Sequence, residues 1–449
     1  MYKREIDSDL VNWSKKSNRK PLILRGARQV GKTTAVRNLA EKFDNFIELN
    51  LDIEEEKEIF DKKSSFEEIV EGIFFFKRKS DNKNIKTLIF IDEIQNSPEA
   101  VKQLRYFYEK RPDLYIVAAG SLLETLIDKT ISFPVGRVEY LYMYPFSFEE
   151  FVWTFNDAAY TEALDKIPVP RYAVNIFQKL FSKYALIGGM PEIIALYSKS
   201  KDLTALSSVY RSLIIAYSDD VEKYAGTKKE TTIIRFLIEK SFYEAGKRIT
   251  FTNFGNSNYR AEEVKEAFQI LEKALILNIV YPTTKRILPV EVNFRKRPKL
   301  ILLDTGLVNY FAGYQNEVFK ETQISNVHNG LVAEHIVAQE LQAYNKNYLK
   351  KTHFWIREKK QSNAEVDFVY PFEDMLIPID VKTGKSGRLR SLHLFLDNCP
   401  HNFAVRIYFG KYEIQKTKTI AGKEFYLLNL PFFLISKLDE YLKLMKAQV

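Results

Sequence analysis

A chain of 449 residues, 46% hydrophobic and 14% aromatic, is long enough for about two to four domains with real cores, which excludes a disordered or low-complexity protein. A single cysteine, Cys399, excludes an internal disulfide and a cysteine-rich zinc site and fits a reducing, cytoplasmic setting, while five scattered histidines argue against a histidine-built metal centre. The net charge of +9 admits a polyanionic partner without requiring one, and no apolar run approaches the ~20 residues of a membrane span, so no membrane partner is expected.

Residues 21–43, PLILRGARQVGKTTAVRNLAEKF, open on a short apolar run, pass through a glycine loop and continue with Val36, Leu39, Ala40 and Phe43 at helical spacing. This is strand, loop, helix, and the loop spells G-x-x-x-x-G-K-T. Gly26 and Gly31 let backbone amides curl around phosphates, while the helix N-terminus adds positive potential. The pattern assigns Gly26, Ala27, Arg28, Gln29, Val30, Gly31, Lys32, Thr33 and Thr34 to ATP binding. Lys32 is placed to reach the β and γ phosphates, and Thr33 to offer its hydroxyl to Mg2+.

A second strand, Thr87–Ile91, is apolar throughout, as a strand buried on both faces of a parallel sheet must be, and it runs into Asp92 and Glu93. Asp92 is placed to hold Mg2+ through water, and Glu93 to polarise the attacking water. The plainer reading of the pair is a cap for the helix Ser97–Lys110. A further strand, Tyr115–Ala119, ends in Gly120 and Ser121. The Ser121 hydroxyl either senses the γ-phosphate or caps the next helix, and both readings stay open.

The order of P-loop, LIFIDEIQ, AAGSLLE and FPVGRVEYLYMYPFSFEEF resembles an AAA-type ATPase of the archaeal and bacterial group that carries an uncharacterised C-terminal module. In that group the glycine–arginine–valine element, here Gly136, Arg137 and Val138, ends a strand-to-helix connection. The resemblance implies Arg137 as an arginine finger for the γ-phosphate, acting across a subunit boundary in a homo-oligomer. A surface arginine paired to a nearby carboxylate is the alternative.

From Ser147 to about Ala225 the pattern is helical, with Phe148, Phe151 and Val152, then Phe177, Leu180, Phe181 and Tyr184, in stripes that read as core. The break Leu186–Glu192 is a turn between helices, and its GGMP is similar to the same ATPase group. Next come an amphipathic helix, Thr232–Tyr243, a second helix, Arg260–Ala274, and the apolar LILNIVYP followed by KRILPVEV. That order matches a winged helix-turn-helix, with Asn258, Tyr259 and Arg260 leading the helix that docking geometry places in the major groove. Glu262, Glu263 and Glu266 on that helix oppose phosphate, whereas the basic run Lys285–Lys299 is suited to gripping a backbone without reading bases.

Beyond a strand ending in Asp304 the pattern predicts a helix from Asn329 to Tyr344 carrying Glu334, then strands in HFWIRE, AEVDFVYP and MLIPIDVKTG. Val366, Phe368 and Tyr370 are expected on one face of their strand, with Glu365, Asp367 and Val369 on the other. Side chains two apart share a face, so Asp380 and Lys382 emerge side by side, and a hairpin brings Asp367 towards Asp380. Helix Glu, strand Asp, then (D/E)-x-K resembles the PD-(D/E)xK nuclease superfamily. The resemblance implies Asp367 and Asp380 as ligands of a second divalent metal, Glu334 as support for that metal or its water, and Lys382 as the group that steadies or deprotonates water. Burial beside a metal is expected to lower the Lys382 pKa. Trp355 and Arg357 either stack on or clamp nucleic acid, or pack.

The expected fold class is α/β and multidomain: an AAA-type P-loop domain (1–155), a helical lid (156–226), a winged helix-turn-helix (227–298) and a restriction-endonuclease-like α/β domain (299–449). The expected function is Mg2+-dependent ATP hydrolysis coupled to DNA binding and to DNA cleavage by the C-terminal domain. The alternative is an ATP-driven switch that binds a protein or nucleic-acid partner through a non-cleaving tail.

Overall fold

A computed structural model of the chain describes residues 2–120, 134, 136–220, 225–313, 330–344, 351–358, 364–384 and 389–449. The chain divides into two compact units, one of Met1–Tyr144 with Lys273–Ile276 and the other of Pro145–Glu272 and Leu277–Val449.

In the first unit the apolar runs become the middle of a parallel sheet. Strands β1 (Leu22–Arg25), β2 (Asn45–Asn50), β3 (Thr87–Asp92), β4 (Tyr115–Gly120) and β5 (Glu139–Tyr142) lie in the order β2-β3-β4-β1-β5. All the pairings are parallel. Strand β1 is therefore sandwiched, which explains why all four of its residues are apolar or buried. Helices Phe66–Phe76 and Pro98–Lys110 supply Ile69, Ile73, Leu104 and Phe107 to the core on one face, with Ile23, Ile89, Ile91 and Ile116 from the sheet. Ser65 and Glu68 form a capping box at the first of these helices, and Ser97 caps the second through the Ala100 amide. Helix Lys32–Ala40 packs on β3 and β4 through a stripe that buries Val36 and Leu39.

The second unit begins with helices Phe148–Trp153, Ala158–Asp165, Arg171–Ile187, Pro191–Ser200 and Leu206–Asp220, where the helical stripe is expected. Its other layer is a mixed sheet of seven strands. These are β7 (Pro282–Thr283), β9 (His353–Ile356), β10 (Glu365–Phe372), β11 (Met375–Lys382), β12 (Phe403–Tyr408), β13 (Glu413–Lys418) and β14 (Glu424–Pro431), ordered β13-β14-β12-β11-β10-β9-β7. Strands β6 (Leu277–Val280) and β8 (Lys299–Leu302) form a separate antiparallel pair.

The boundaries expected at 226 and 298 both fall inside this unit, for physical reasons. Phe148, Phe177 and Phe181 pack against Phe432 and Phe433 from the far end of the chain, so the helical segment and the C-terminal module share one aromatic core. Glu340 accepts from the Phe148 amide and, at 2.5 Å, from the Tyr184 hydroxyl. Asp304 accepts from the Gly189 amide at 2.6 Å and caps helix Thr305–Phe311 through the Leu307 amide. Asp304 is wholly buried, and that burial pushes its carboxyl up to about 6 against the pull of these backbone donors.

The run expected to supply the wing behaves differently. KRILPVEV contributes no strand. Instead β7 pairs with β9 in the large sheet, and β8 pairs with β6 from the head of the module assigned beyond residue 298. Helices Lys228–Ser241 and Ala261–Lys273 do form. Strand β10 also departs from simple alternation. A register shift against β9 between Val366 and Val369 turns Val369 into the same core cluster as Val366, away from Glu365 and Asp367.

Candidate functional site

The phosphate-loop residues stand where β1 ends and helix Lys32–Ala40 begins. Gly26 is required by close approach: a Cβ there would lie 2.5 Å from the Met143 carbonyl oxygen and 2.9 Å from a Val30 methyl. Gln29 (φ 63°) and Gly31 (φ 101°) adopt left-handed backbone, which turns the loop into the helix. Lys32 is buried to 7% exposure, and its ammonium donates to the carbonyls of Gly26 and Ala27 at 3.0 and 2.9 Å. The loop thus folds over its own lysine, the counter-charge a phosphate chain would meet.

Thr33 Oγ1 donates to Asp92 Oδ2 at 2.7 Å, which joins two residues 59 positions apart. Asp92 Oδ1 also accepts from the Glu93 amide at 3.0 Å. Hydroxyl and carboxylate together are an oxygen set suited to Mg2+. Glu93 has φ 51°, an uncommon conformation for a side-chain-bearing residue that is found where a site holds backbone strain. Its carboxylate accepts from the Gln95 amide.

Two supporting residues escaped the sequence reading. Gln95 orients Glu93, and the only sign of it is its place two residues on in DEIQ. Arg4, 7% exposed, donates to the Val30 carbonyl at 3.1 Å and the Tyr144 carbonyl at 2.7 Å, bracing the loop from the start of the chain. Nothing local marks Arg4. Arg137 donates through Nε to Glu109 at 3.1 Å, sharing that carboxylate with Arg105. Ser121 lies outside the described residues.

The second constellation lies wholly in the second unit. Strands β10 and β11 pair with Phe368 opposite Ile379, so Asp367 and Asp380 stand one step further along the hairpin. Asp367 Oδ2 accepts from the Val381 amide at 2.7 Å. Lys382 is 2.7 Å from Asp380. The tightest carboxylate group, however, is Glu334, Glu365 and Asp367, whose ligand oxygens lie within 4.8 Å of one another. Glu365 was visible as a face-mate of Asp367 two residues away, although only Asp367 and Asp380 were read as ligands.

The residue that the sequence misplaced is Lys299. It stood at the end of a basic run read as surface, yet it is 4% exposed. Its ammonium lies 2.6 Å from Glu334 and 2.5 Å from Glu365, and Arg248 pairs with the other oxygen of Glu365.

The electrostatics follow from crowding. Burial and the Asp367 charge push Glu334 up to about 7 against the pull of Lys299. Burial and the same neighbour push Asp380 up to about 6 against Lys382. Burial also raises Asp367. Lys382 is raised, not lowered: desolvation works downward, but the carboxylates of Asp380, Asp367 and Glu334 together outweigh it. The expected lowering needs a metal to supply the repulsion.

Three clustered carboxylates suit a hard divalent cation in donor type. Two of them already hold an ammonium at contact distance, so the fit is incomplete. Trp355 is fully buried, donates to the Thr284 carbonyl at 3.2 Å and packs edge-on against Phe395. It is core and offers no face to a base. No helix among the described residues is long and apolar enough to cross a membrane.

Comparison with known proteins agrees with the first unit's geometry. Residues 18–152 match an AAA domain, and this segment is an ATPase-type nucleotide domain. Residues 178–318 and 329–431 match two domains of unknown function (DUF8612 and DUF4143). No curated protein matches the chain. Among solved structures, the Walker-type ATPase PABY2304 of Pyrococcus abyssi is similar at 15% identity and a TM-score of 0.45, over 70% of this chain and 96% of that one. The S. cerevisiae Hsp104–ADP complex is similar at 12% identity and a TM-score of 0.28, over 60% of this chain and 38% of that one.

Proposed function

We propose that this chain is a Mg2+-dependent ATPase whose second unit engages DNA. The observation that carries the first half is the hydrogen bond between Thr33 and Asp92 at 2.7 Å beside a buried loop lysine. These are the groups phosphoryl transfer requires on one side of a phosphate chain. Thr33, and Asp92 through water, would hold Mg2+, which when bound neutralises charge on the β and γ phosphates. Gly26 to Thr34 wrap the phosphates with backbone amides, and Lys32 exchanges its two carbonyl partners for phosphate oxygens. Glu93 orients the attacking water and takes its proton. Arg137 leaves Glu109 to reach the γ-phosphate of a neighbouring copy in a homo-oligomer, and the Ser121 hydroxyl either senses the γ-phosphate of its own chain's nucleotide or caps the next helix. Lys32→Ala should abolish nucleotide binding, while Glu93→Gln should retain binding and lose turnover. Unaltered ATP hydrolysis in the second variant would remove Glu93 as the base.

For the second unit, helices Lys228–Ser241 and Ala261–Lys273 with the β6–β8 pair support a winged-helix-like DNA contact. The exposed Arg295, Lys296 and Arg297 grip phosphate. The order of helix, hairpin and strand around Glu334, Asp367, Asp380 and Lys382 supports a restriction-endonuclease-like fold. Cleavage would use Asp367 and Asp380 as metal ligands, Glu334 in support and Lys382 at the water.

A specific observation favours the second reading, an ATP-driven switch whose tail binds a nucleic-acid or protein partner without cutting. The carboxylates carry protein cations, Lys299 and Arg248, as they stand. Linear, plasmid and four-way-branched DNA incubated with ATP and Mg2+ or Mn2+ separates the two. Cutting that vanishes in Lys382→Ala establishes the nuclease, and intact DNA with continuing ATP hydrolysis removes the nuclease and favours the switch, whose own mark is partner capture lost in Lys32→Ala.

A further inference from the structure

The Lys299 ammonium does not reach the carboxylates by chance of a flexible side chain. Its backbone is held on both sides. Lys299 pairs with Val280 across the β6–β8 ladder and bridges to Arg248 on its other edge. The Ile249 amide bonds to Pro298, and the Leu300 amide to Lys247. Lys299 and Arg248 are thus antiparallel partners that aim two cations at one carboxylate, Glu365. Beneath both lies Phe354 of β9, fully buried, with the Lys299 ammonium and the Arg248 guanidinium each 5.0 Å from its ring centre. A pinned backbone pair and an aromatic floor fix the ammonium between Glu334 and Glu365.

From this arrangement we propose that Lys299 is the resident cation of the carboxylate cluster, an internal ammonium in the place of a divalent metal, which metal can occupy only by displacing it. The proposal rests on the nuclease-like reading of the C-terminal module and restricts it. The competition is steric as well as electrostatic. A divalent ion bound to the same oxygens at roughly 2.0–2.6 Å would meet an ammonium already 2.5–2.6 Å from them. The cluster, with Asp380, brings four carboxylates against Lys299, Arg248 and Lys382, a nearly balanced set that leaves little net attraction for a second cation.

Mn2+ binding to the full-length, nucleotide-free protein, followed by electron paramagnetic resonance, tests this. Lys299→Met should bind Mn2+ at least about tenfold more tightly than the wild type. Adding Asp367→Asn to Lys299→Met should abolish the gain, which locates the ion. Because Lys299→Met strips buried carboxylates of their partner and can fail to fold, the second measurement uses the wild type. Amine acetylation read by mass spectrometry should find Lys299 protected without metal and modified once Mn2+ occupies the site. Equal or weaker Mn2+ affinity in Lys299→Met, or Lys299 still protected with Mn2+ bound, overturns displacement alone. No Mn2+ bound by either protein overturns displacement together with the metal reading of the cluster.

Discussion

Asp304 sets two opposing forces against each other, and the balance predicts an unusual pH dependence. Its carboxylate receives the Gly189 and Leu307 amides, which favour ionisation, but complete burial outweighs them and pushes it up to about 6 from its ordinary 3.8. The folded chain therefore holds this proton about 3 kcal/mol more tightly than the unfolded chain. Because the folded value is the higher one, the stabilising contribution is full below about pH 4 and is lost as pH rises through about 6. Asp304→Asn removes the titration. It keeps an acceptor for Leu307 but turns an amide towards the Gly189 N–H, at a fixed cost of about 1–3 kcal/mol. The variant should thus be clearly less stable than the wild type at pH 5, and the gap should shrink by about 1.5 kcal/mol by pH 8. Urea unfolding followed by tryptophan emission reads this, since Trp153 and Trp355 both lie in the second unit. A constant gap would mean that the backbone donors cancel burial, and a widening one that they outweigh it; either would refute the reasoning.

Gly26→Ala should lose nucleotide binding, measured with a fluorescent ATP analogue, because its Cβ meets the Met143 carbonyl and cannot be relieved by a side-chain movement. Trp355→Ala should cost about 3–5 kcal/mol of stability as a core truncation, and in refolded protein it should leave the salt dependence of DNA binding unchanged. Replacing Arg295, Lys296 and Arg297 by glutamine should lower the slope of log affinity against log salt by up to about three for the phosphate contacts removed; an unchanged slope would take DNA off that surface. Arg137→Ala should leave the unfolding free energy from urea titration within about 0.5 kcal/mol, as its pair with Glu109 is half exposed, while reducing ATP turnover.

Local chemistry was legible wherever one short segment carries both the element and the group. The G-x-x-x-x-G-K-T loop reads as strand, turn and helix because apolar burial, left-handed backbone and helical periodicity all act within about a dozen residues. Asp92 and Glu93 announce themselves by ending a strand too apolar to be exposed. Asp380 and Lys382 pair as their spacing requires, since a strand alternates faces whatever surrounds it. The alternation argument failed at Val369, where a bulge formed against β9, a partner that the sequence of β10 does not specify.

Lys299 shows where sequence stops. Read along the chain, it ends a basic run and belongs on the surface. In the fold its strand pairs with β6, and its ammonium is carried to carboxylates 35 and 66 positions away. The same limit hid Arg4 and the shared aromatic core that merges the helical segment with the C-terminal module. By itself the sequence determined the strands and helices around the phosphate loop, the loop itself and the acidic pair Asp92 and Glu93, because these depend on neighbours within a turn or a strand. Only the tertiary structure decided which charges meet, because burial and ion pairing are set by distance in space, and a lysine buried between two carboxylates has no signature in its own segment.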